Sequence, residues 1–311
     1  MRFSSWKGEE NRGRIVEIIT GCSTISIKPP SSSVPKRRSG MLDLVTFIWG
    51  KETIEDYMEM ALPSLLWTAN IPSTQRSIGE YSIYASPGAY SAIHFSDLGR
   101  ELEGLVKVNW RRLIKGEGET TSNLLNQLSR SLQRGNHIKI CAPDEVVGNG
   151  SLLNLAQLCE GYSLIVYGFP RITEQGWEIL RTRVKAGEIL FNKDLVAFAM
   201  EHIEQETYPI IKRENEWLVS HNCPTPIVLP DKWMVDIFAT NPTINSGFDH
   251  CLPYMLMEKG YPWKMIKHSE TYFQVERGRH ILREDYTSWG GTYPLMTKLF
   301  FERIQQVWSK V

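Results

Sequence analysis

This chain has no surplus of either charge: 35 Lys and Arg stand against 35 Asp and Glu, for a formal net charge of zero. A balanced chain has no global field to draw in nucleic acid or an anionic membrane, although a local basic groove is compatible with it. Cysteine is scarce. The five in 311 residues (Cys22, Cys141, Cys159, Cys223 and Cys251) are odd in number and far apart, with no CxxC. That spacing argues against a disulfide framework and a structural zinc site, and fits a reducing compartment. No apolar run approaches the roughly 20 residues that span a bilayer. The N-terminus has no apolar core of a secretory signal. These absences lead to the expectation of a soluble cytoplasmic protein with no transmembrane segment. Chemical signatures are missing too. There is no GxGxxG, no GxxxxGK[ST], no HExxH and no GxSxG, which removes the dinucleotide fingerprint, the P-loop, the zinc-protease helix and the hydrolase nucleophile elbow.

What is present is an ordinary globular composition, 42% hydrophobic and 23% charged, in a chain long enough to bury a core without staples. The first forty residues stand apart. IKPPSSSVPKRRSG (27–40) is rich in Pro, Ser and basic residues, and 1–40 holds eight Lys/Arg against three Glu. Such a stretch cannot bury enough apolar surface to order itself, so 1–40 is expected to be a flexible basic arm.

From Met41 the pattern is that of one α/β domain. LDLVTFIWG (42–50) reads as a buried strand ending in Gly. TIEDYMEMALPSLLW (53–67) is an amphipathic helix with Ile54, Tyr57, Met58, Ala61 and Leu62 on one face and Glu55, Asp56 and Glu59 on the other. Pro63 is expected to end or kink it. EYSIYAS (80–86) is a second strand, so the three make a βαβ unit with parallel strands. SDLGRELEGL is a helix capped by Ser96, and VKVNW (106–110) a strand. TSNLLNQLSRSLQRG is a helix stopped by Gly135. HIKICA, SLLNLAQLCEG and YSLIVYGFP repeat the βαβ order. EQGWEILRTRVKAG and KDLVAFAMEHIEQE are further helices, KMIKHSETYFQVE a strand, turn and strand, and 292–308 a last helix. The implied fold class is α/β: a Rossmann-like, mostly parallel sheet flanked by helices, with a mixed α+β C-terminal portion.

In open parallel sheets, ligands bind at the carboxyl ends of strands. Three segments qualify: IWGKE (48–52), APDEVVGNGS (142–151) and YGFPR (167–171). In the second, Gly148 and Gly150 permit positive φ or close backbone approach. Asn149 or Ser151 could cap the following helix and leave its N–H groups for an anion. Asp144 offers a carboxylate to a divalent metal or a ribose, and Arg171 a guanidinium to a phosphate. The plain alternative is that GNGS only turns the chain, and that Arg171 makes a salt bridge. Asp249, before an apolar helix pattern, suits a metal ligand or a base, or an acid that complements a helix dipole.

VTFIWGKETIEDYMEMALPSLLWTANIP resembles the opening of bacterial proteins akin to glycosyltransferases: a strand ending Trp-Gly, a helix running into Pro-Ser-Leu-Leu, and an Asn-x-Pro exit. CAPDEVVGNGSLLNL resembles their middle signature, and LVAFAMEHIEQ, TPIVLP and FATNPTINSGFD their later segments. The resemblance covers most of 42–305. It implies a GT-A-like nucleotide-diphospho-sugar transferase, with a nucleotide-binding part over about 41–190 and an acceptor part over about 191–311. Trp49 and Gly50 would help form the base pocket, and Asp144 with Gly148, Asn149, Gly150 and Ser151 would meet ribose or diphosphate. In the family an acidic pair usually holds Mn²⁺ or Mg²⁺ against the diphosphate. Asp144 matches the first acidic position, but Asn149 stands at the second and lacks the anionic oxygen. Either Asp249 completes the metal site and acts in catalysis, or the protein works without metal, or it does not catalyse. The acceptor could be a glycan, a protein, a lipid-linked sugar or a nucleic-acid base. The alternatives are a non-catalytic binding or scaffold protein on the same fold, or another nucleotide-using transferase.

Overall fold

The structure is a computed structural model, and it describes residues 41–113, 117–204, 210–213, 216–219, 226–240, 251–266 and 268–278. The basic arm 1–40, Asp249 and the helix expected at 292–308 lie outside the described residues. The main sheet takes strands β1 (Leu42–Ile48), β2 (Ile78–Ala85), β3 (Val108–Arg112), β4 (His137–Ile140), β6 (Leu164–Val166), β10 (Ile227–Val228) and β11 (Trp263–Met265). Their spatial order is β11-β6-β10-β4-β1-β2-β3. Every neighbouring pair is parallel except those made by β10, which runs antiparallel between β4 and β6. A second, three-stranded sheet joins β5 (Glu145–Val147), β12 (Gln274–Arg277) and β7 (Arg171–Ile172). Strands β8 (Ile210–Arg213) and β9 (Glu216–Val219) pair by themselves.

Both faces of the main sheet are covered, so all seven residues of β1 are buried and its apolar residues do not alternate with exposed ones. Leu42, Leu44 and Ile48 enter one core with helices α1 (Lys51–Asp56), α2 (Leu62–Leu66), α4 (Pro87–His94), α5 (Asp97–Leu105) and α7 (Ser151–Leu158). Val45 and Phe47 enter the opposite core with α6 (Glu117–Arg134), α10 (Lys232–Thr240) and α11 (Cys251–Glu258). A third cluster lies between the small sheet and helices α8 (Glu174–Lys185) and α9 (Asn192–His202), around Trp177, Leu180 and Val275. The fold is therefore the expected Rossmann-like one, mostly parallel and flanked by helices, with a small mixed sheet attached.

Local expectations fare unevenly. Ser96 does cap α5 by accepting from the Gly99 N–H, and Gly135 follows α6 at φ +69°. Pro63 neither ends nor visibly interrupts its helix. A π-helical segment, Tyr57–Ala61, precedes it and joins α1 to α2, and such a segment can absorb a ring that clashes with the carbonyl four residues back. Asp56, expected on the polar face, is fully buried. Its carboxylate accepts from Trp177 Nε1 (3.0 Å), Arg181 (2.6 Å) and Arg277 (2.9 Å), a set no helical periodicity reveals. The two strands expected in 264–276 both form, yet as β11 and β12 they belong to different sheets. The second βαβ unit is likewise parallel, but β10 separates its strands.

Candidate functional site

The carboxyl ends of β1, β2, β3 and β4 lie side by side along one edge of the sheet. At the end of β1, Trp49 is 46% exposed. Gly50 adopts φ +80°, and a Cβ there would meet nothing within 4 Å, so the backbone at this turn faces open space. The adjacent end of β2 is tied to β1 by the Ser86 N–H, which donates to the Ile48 carbonyl. Ser86 then caps α4 through the Ala89 N–H. At the end of β3, Arg111 and Arg112 are exposed. Between these ends is a cavity of about 520 Å³ lined by Ala85, Pro87, Tyr90, Trp110, Arg111 and Arg112. Tyr90 and Trp110 meet edge to face at 5.2 Å. Neither arginine forms an ion pair with a described residue, whereas most other described arginines do. Arg111 follows Trp110 on β3, so its guanidinium leaves from the opposite face, beside Asn109 and Tyr84. Arg112 shares the face of Trp110, and a cavity that joins aromatic faces to an arginine suits a planar, anionic ligand.

Next to this edge, β4 runs through Cys141, Ala142 and Pro143 to Asp144, half-buried in the turn before β5. The Asp144 carbonyl accepts from the Arg277 N–H of β12. Behind it lies a row of buried charges. Lys139 pairs with Glu145 at 2.9 Å and Arg171 with Glu276 at 2.7 Å. Glu276 stands opposite both Glu145 and Arg171 in the small sheet. Burial raises the Glu276 carboxyl to about 7; Asp144 and Glu145 push the same way, against the opposing charge of Arg171. Arg171 is thus an internal partner of the small sheet and does not line the edge cavity.

The glycine-marked turn behaves differently from its expectation. Gly150 does adopt a left-handed conformation (φ +98°), and Gly148 does allow a close approach, since a Cβ there would lie 2.1 Å from Asn192 Oδ1. The helix that follows is capped by neither Asn149 nor Ser151. Asn149 Oδ1 accepts from the Ala69 N–H at 2.9 Å. Ser151 Oγ donates to Asn192 Oδ1 and accepts from the Phe273 N–H. The cap comes from eighty residues away: Asn70 Oδ1 accepts from the N–H groups of both Gly150 and Leu152, each at 3.1 Å. Gly148 N–H donates to the Phe273 carbonyl, Asn149 N–H to Leu190 and Ser151 N–H to Gly148. Asn70, Asn149, Ser151 and Leu152 are all buried around this helix start. The N–H groups of Gly148, Asn149, Gly150, Ser151 and Leu152 thus all meet the chain's own side chains and carbonyls.

Hard divalent cations need several oxygen ligands. Asp144 supplies one. Its acidic neighbours Glu145 and Glu276 already hold Lys139 and Arg171, and no group of three suitable side chains occurs among the described residues. The described residues alone therefore do not make a donor set for Mn²⁺ or Mg²⁺. No helix among them is long and apolar enough to cross a membrane.

The cavity residues were within reach of the sequence. VKVNWRR is a strand that ends in two arginines, and in a parallel sheet that end is where ligands bind. Asn70 was not: a cap from another segment has no local signature.

No protein-family model matches the chain, and no curated protein sequence is similar to it. Among solved structures, it is similar to 4-diphosphocytidyl-2C-methyl-D-erythritol synthase from Anaerococcus prevotii (9% identity, 81% of this chain and 97% of that one, TM-score 0.41). It is similar to residues 1–349 of S. aureus TarS in complex with UDP (9% identity, 82% of this chain and 65% of that one, TM-score 0.46). A third is the inositol-1-phosphate CTP transferase of T. maritima (10% identity, 83% and 96%, TM-score 0.38). The fold assignment rests on the strand order and burial of the chain itself.

Proposed function

We propose that this chain is a glycosyltransferase that takes a sugar from a nucleotide-diphospho-sugar donor. The observation that carries the reading is the cavity of about 520 Å³ at the carboxyl ends of β2 and β3, with an aromatic wall and Arg112, which no described acid engages. In this reading the nucleobase lies against Tyr90 and Trp110, and Arg112 meets ribose or phosphate oxygens by charge-assisted hydrogen bonds. Trp49 and Gly50 border the same edge, where the chain turns without a side chain to obstruct a ligand. Asp144, one strand further along, and Asp249 are the carboxylates assigned to Mn²⁺ or Mg²⁺, with Asp249 as the catalytic group. A bound divalent cation offsets charge on a departing diphosphate. The acceptor class stays open among glycans, proteins, lipid-linked sugars and nucleic-acid bases.

The test is the thermal stability of the full chain against nucleoside diphosphates and nucleotide sugars, with and without Mn²⁺. A ligand at one hundred times its Kd stabilises by about 2.7 kcal/mol, which reads as a clear rise in melting temperature. Loss of that rise in Arg112→Ala supports the cavity as the site, and a Mn²⁺-dependent increment lost in Asp144→Ala supports the metal assignment. A flat panel on folded protein sinks the reading and leaves the non-catalytic binding protein in its place.

A further inference from the structure

The wall of the edge cavity is held from outside by a polar anchor. Trp110 sits on β3, which ends the main sheet among the described residues. Its Nε1–H donates to Glu103 Oε1 of α5 at 2.6 Å. The same oxygen accepts from His94 Nδ1–H of α4 at 2.7 Å. The His94 ring stacks on Tyr90 (4.9 Å between centroids, 15° between planes) and meets Trp110 edge-on at 5.7 Å. Phe95, 66% exposed, closes the cluster against Tyr90 and His94. One carboxylate oxygen therefore ties together two elements that carry the two aromatic wall residues of the cavity.

Burial does not account for this arrangement. The side chains of His94 and Glu103 are 29% and 31% exposed, so water could satisfy every polar atom in the cluster at little cost. What water cannot do is select one rotamer for the indole and one tilt for the phenol. Preorganising a binding wall lowers the ordering cost at the moment of association. We infer that Glu103 is a positioning residue. By accepting from both Trp110 and His94 it holds Trp110 and, through the His94 ring, Tyr90 in the edge-to-face arrangement that receives a planar heteroaromatic ring. The inference rests on the reading of the cavity as a nucleotide site. It makes Glu103, which does not line the cavity, a determinant of affinity for the base, not the phosphate.

The experiment uses the full chain, the variants Glu103→Ala and Glu103→Gln, and UDP, CDP, ADP and GDP as probes by calorimetry. Alongside runs ¹⁵N–¹H NMR of the tryptophan indoles, in which the Trp110 resonance is assigned by its loss in Trp110→Phe. Glu103→Ala is expected to shift the Trp110 indole resonance and to weaken binding of the preferred diphosphate about tenfold, the worth of one ordinary hydrogen bond. Glu103→Gln keeps an acceptor oxygen and is expected to restore most of that affinity. Inorganic pyrophosphate, which has no ring, should bind both variants and wild type equally. Wild-type binding of a diphosphate that Glu103→Ala leaves intact overturns the positioning role alone. An unmoved indole resonance in Glu103→Ala overturns it as well. A wild-type chain blind to all four diphosphates overturns the nucleotide reading of the cavity, whatever the indole does.

Discussion

The two edges of the main sheet treat charge in opposite ways. At the amino edge, Asp43 and Glu80 are buried and saturated. Asp43 accepts from Ser131 (2.5 Å), Arg134 (2.6 Å) and Asn136 (2.9 Å). Glu80 is met by Arg130 at 2.9 Å, Arg134 at 3.1 Å and Lys107 at 3.6 Å. Even the glycine between these partners is committed, since a Cβ on Gly79 would lie 2.4 Å from Asn136 and 2.5 Å from Asp43. At the carboxyl edge, Arg112 borders a cavity with no described acid to pair with, Trp49 is half in solvent, and Gly50 opens onto empty space. Both edges end the same strands, so the difference is not one of architecture. Charges that meet their partners inside the protein hold it together, and charges kept apart from partners are available to a ligand.

Substitutions should separate the two edges by what they change. Asp43→Ala leaves Arg134, Ser131 and Asn136 facing a void, and breaking such a buried constellation from one side costs about 3 kcal/mol. Chemical denaturation should report that loss with little change in nucleotide affinity; an affinity loss at retained stability would erase the contrast between the edges. Asn70→Ala should cost about 2 kcal/mol, because it strips the cap from α7 and leaves buried N–H groups unsatisfied. If instead it created a phosphate-dependent stabilisation, the closed helix terminus would have been shown to be an anion site in waiting. Arg112→Ala should move stability by no more than about 0.5 kcal/mol. It should weaken diphosphate binding by tenfold or more, the range expected of a hydrogen bond to a charged group, about 1.5–3 kcal/mol.

Two pH effects are smaller. Burial works to raise the Glu80 carboxyl, but Arg134 and Arg130 outweigh it, so its pKa is lowered on folding. Its contribution is complete above the ordinary carboxyl value of 4.5 and lost as pH falls through the lower folded value. Glu276 has the opposite sign. Raised by burial to about 7, it binds a proton in the folded chain that the unfolded chain releases, so stability falls as pH rises from 4.5 toward 7. Glu276→Gln should flatten that slope, while Glu80→Gln should flatten the acid limb. Denaturation midpoints measured from pH 3 to 8 would expose a swap of the two.

Much of the scaffold was readable before the structure. LDLVTFI announces a strand covered on both faces, and Leu42, Leu44, Val45 and Phe47 do divide between two cores. Ser96 and Gly135 mark helix ends through bonds and dihedrals that involve only near neighbours, and local chemistry is written locally. The polar sites were less legible. Asn149 and Ser151 have the composition of a cap and serve other segments, while the cap itself is Asn70. Asp56 lies on what helical spacing marks as a solvated face, and becomes the buried acceptor of two arginines and a tryptophan. Arg171 has the position of a phosphate clamp and the partner of a buried strand residue.

The residue pattern by itself determined that this chain makes an α/β sheet with helices on both faces, because apolar period and helix-end chemistry act within a few residues. Only the tertiary structure decided which polar groups are spent and which remain open. A hydrogen-bond donor or a charge is satisfied by whatever side chain the fold brings to it, from eighty residues away in the case of Asn70 and Gly150, and that distance leaves no mark on the sequence between.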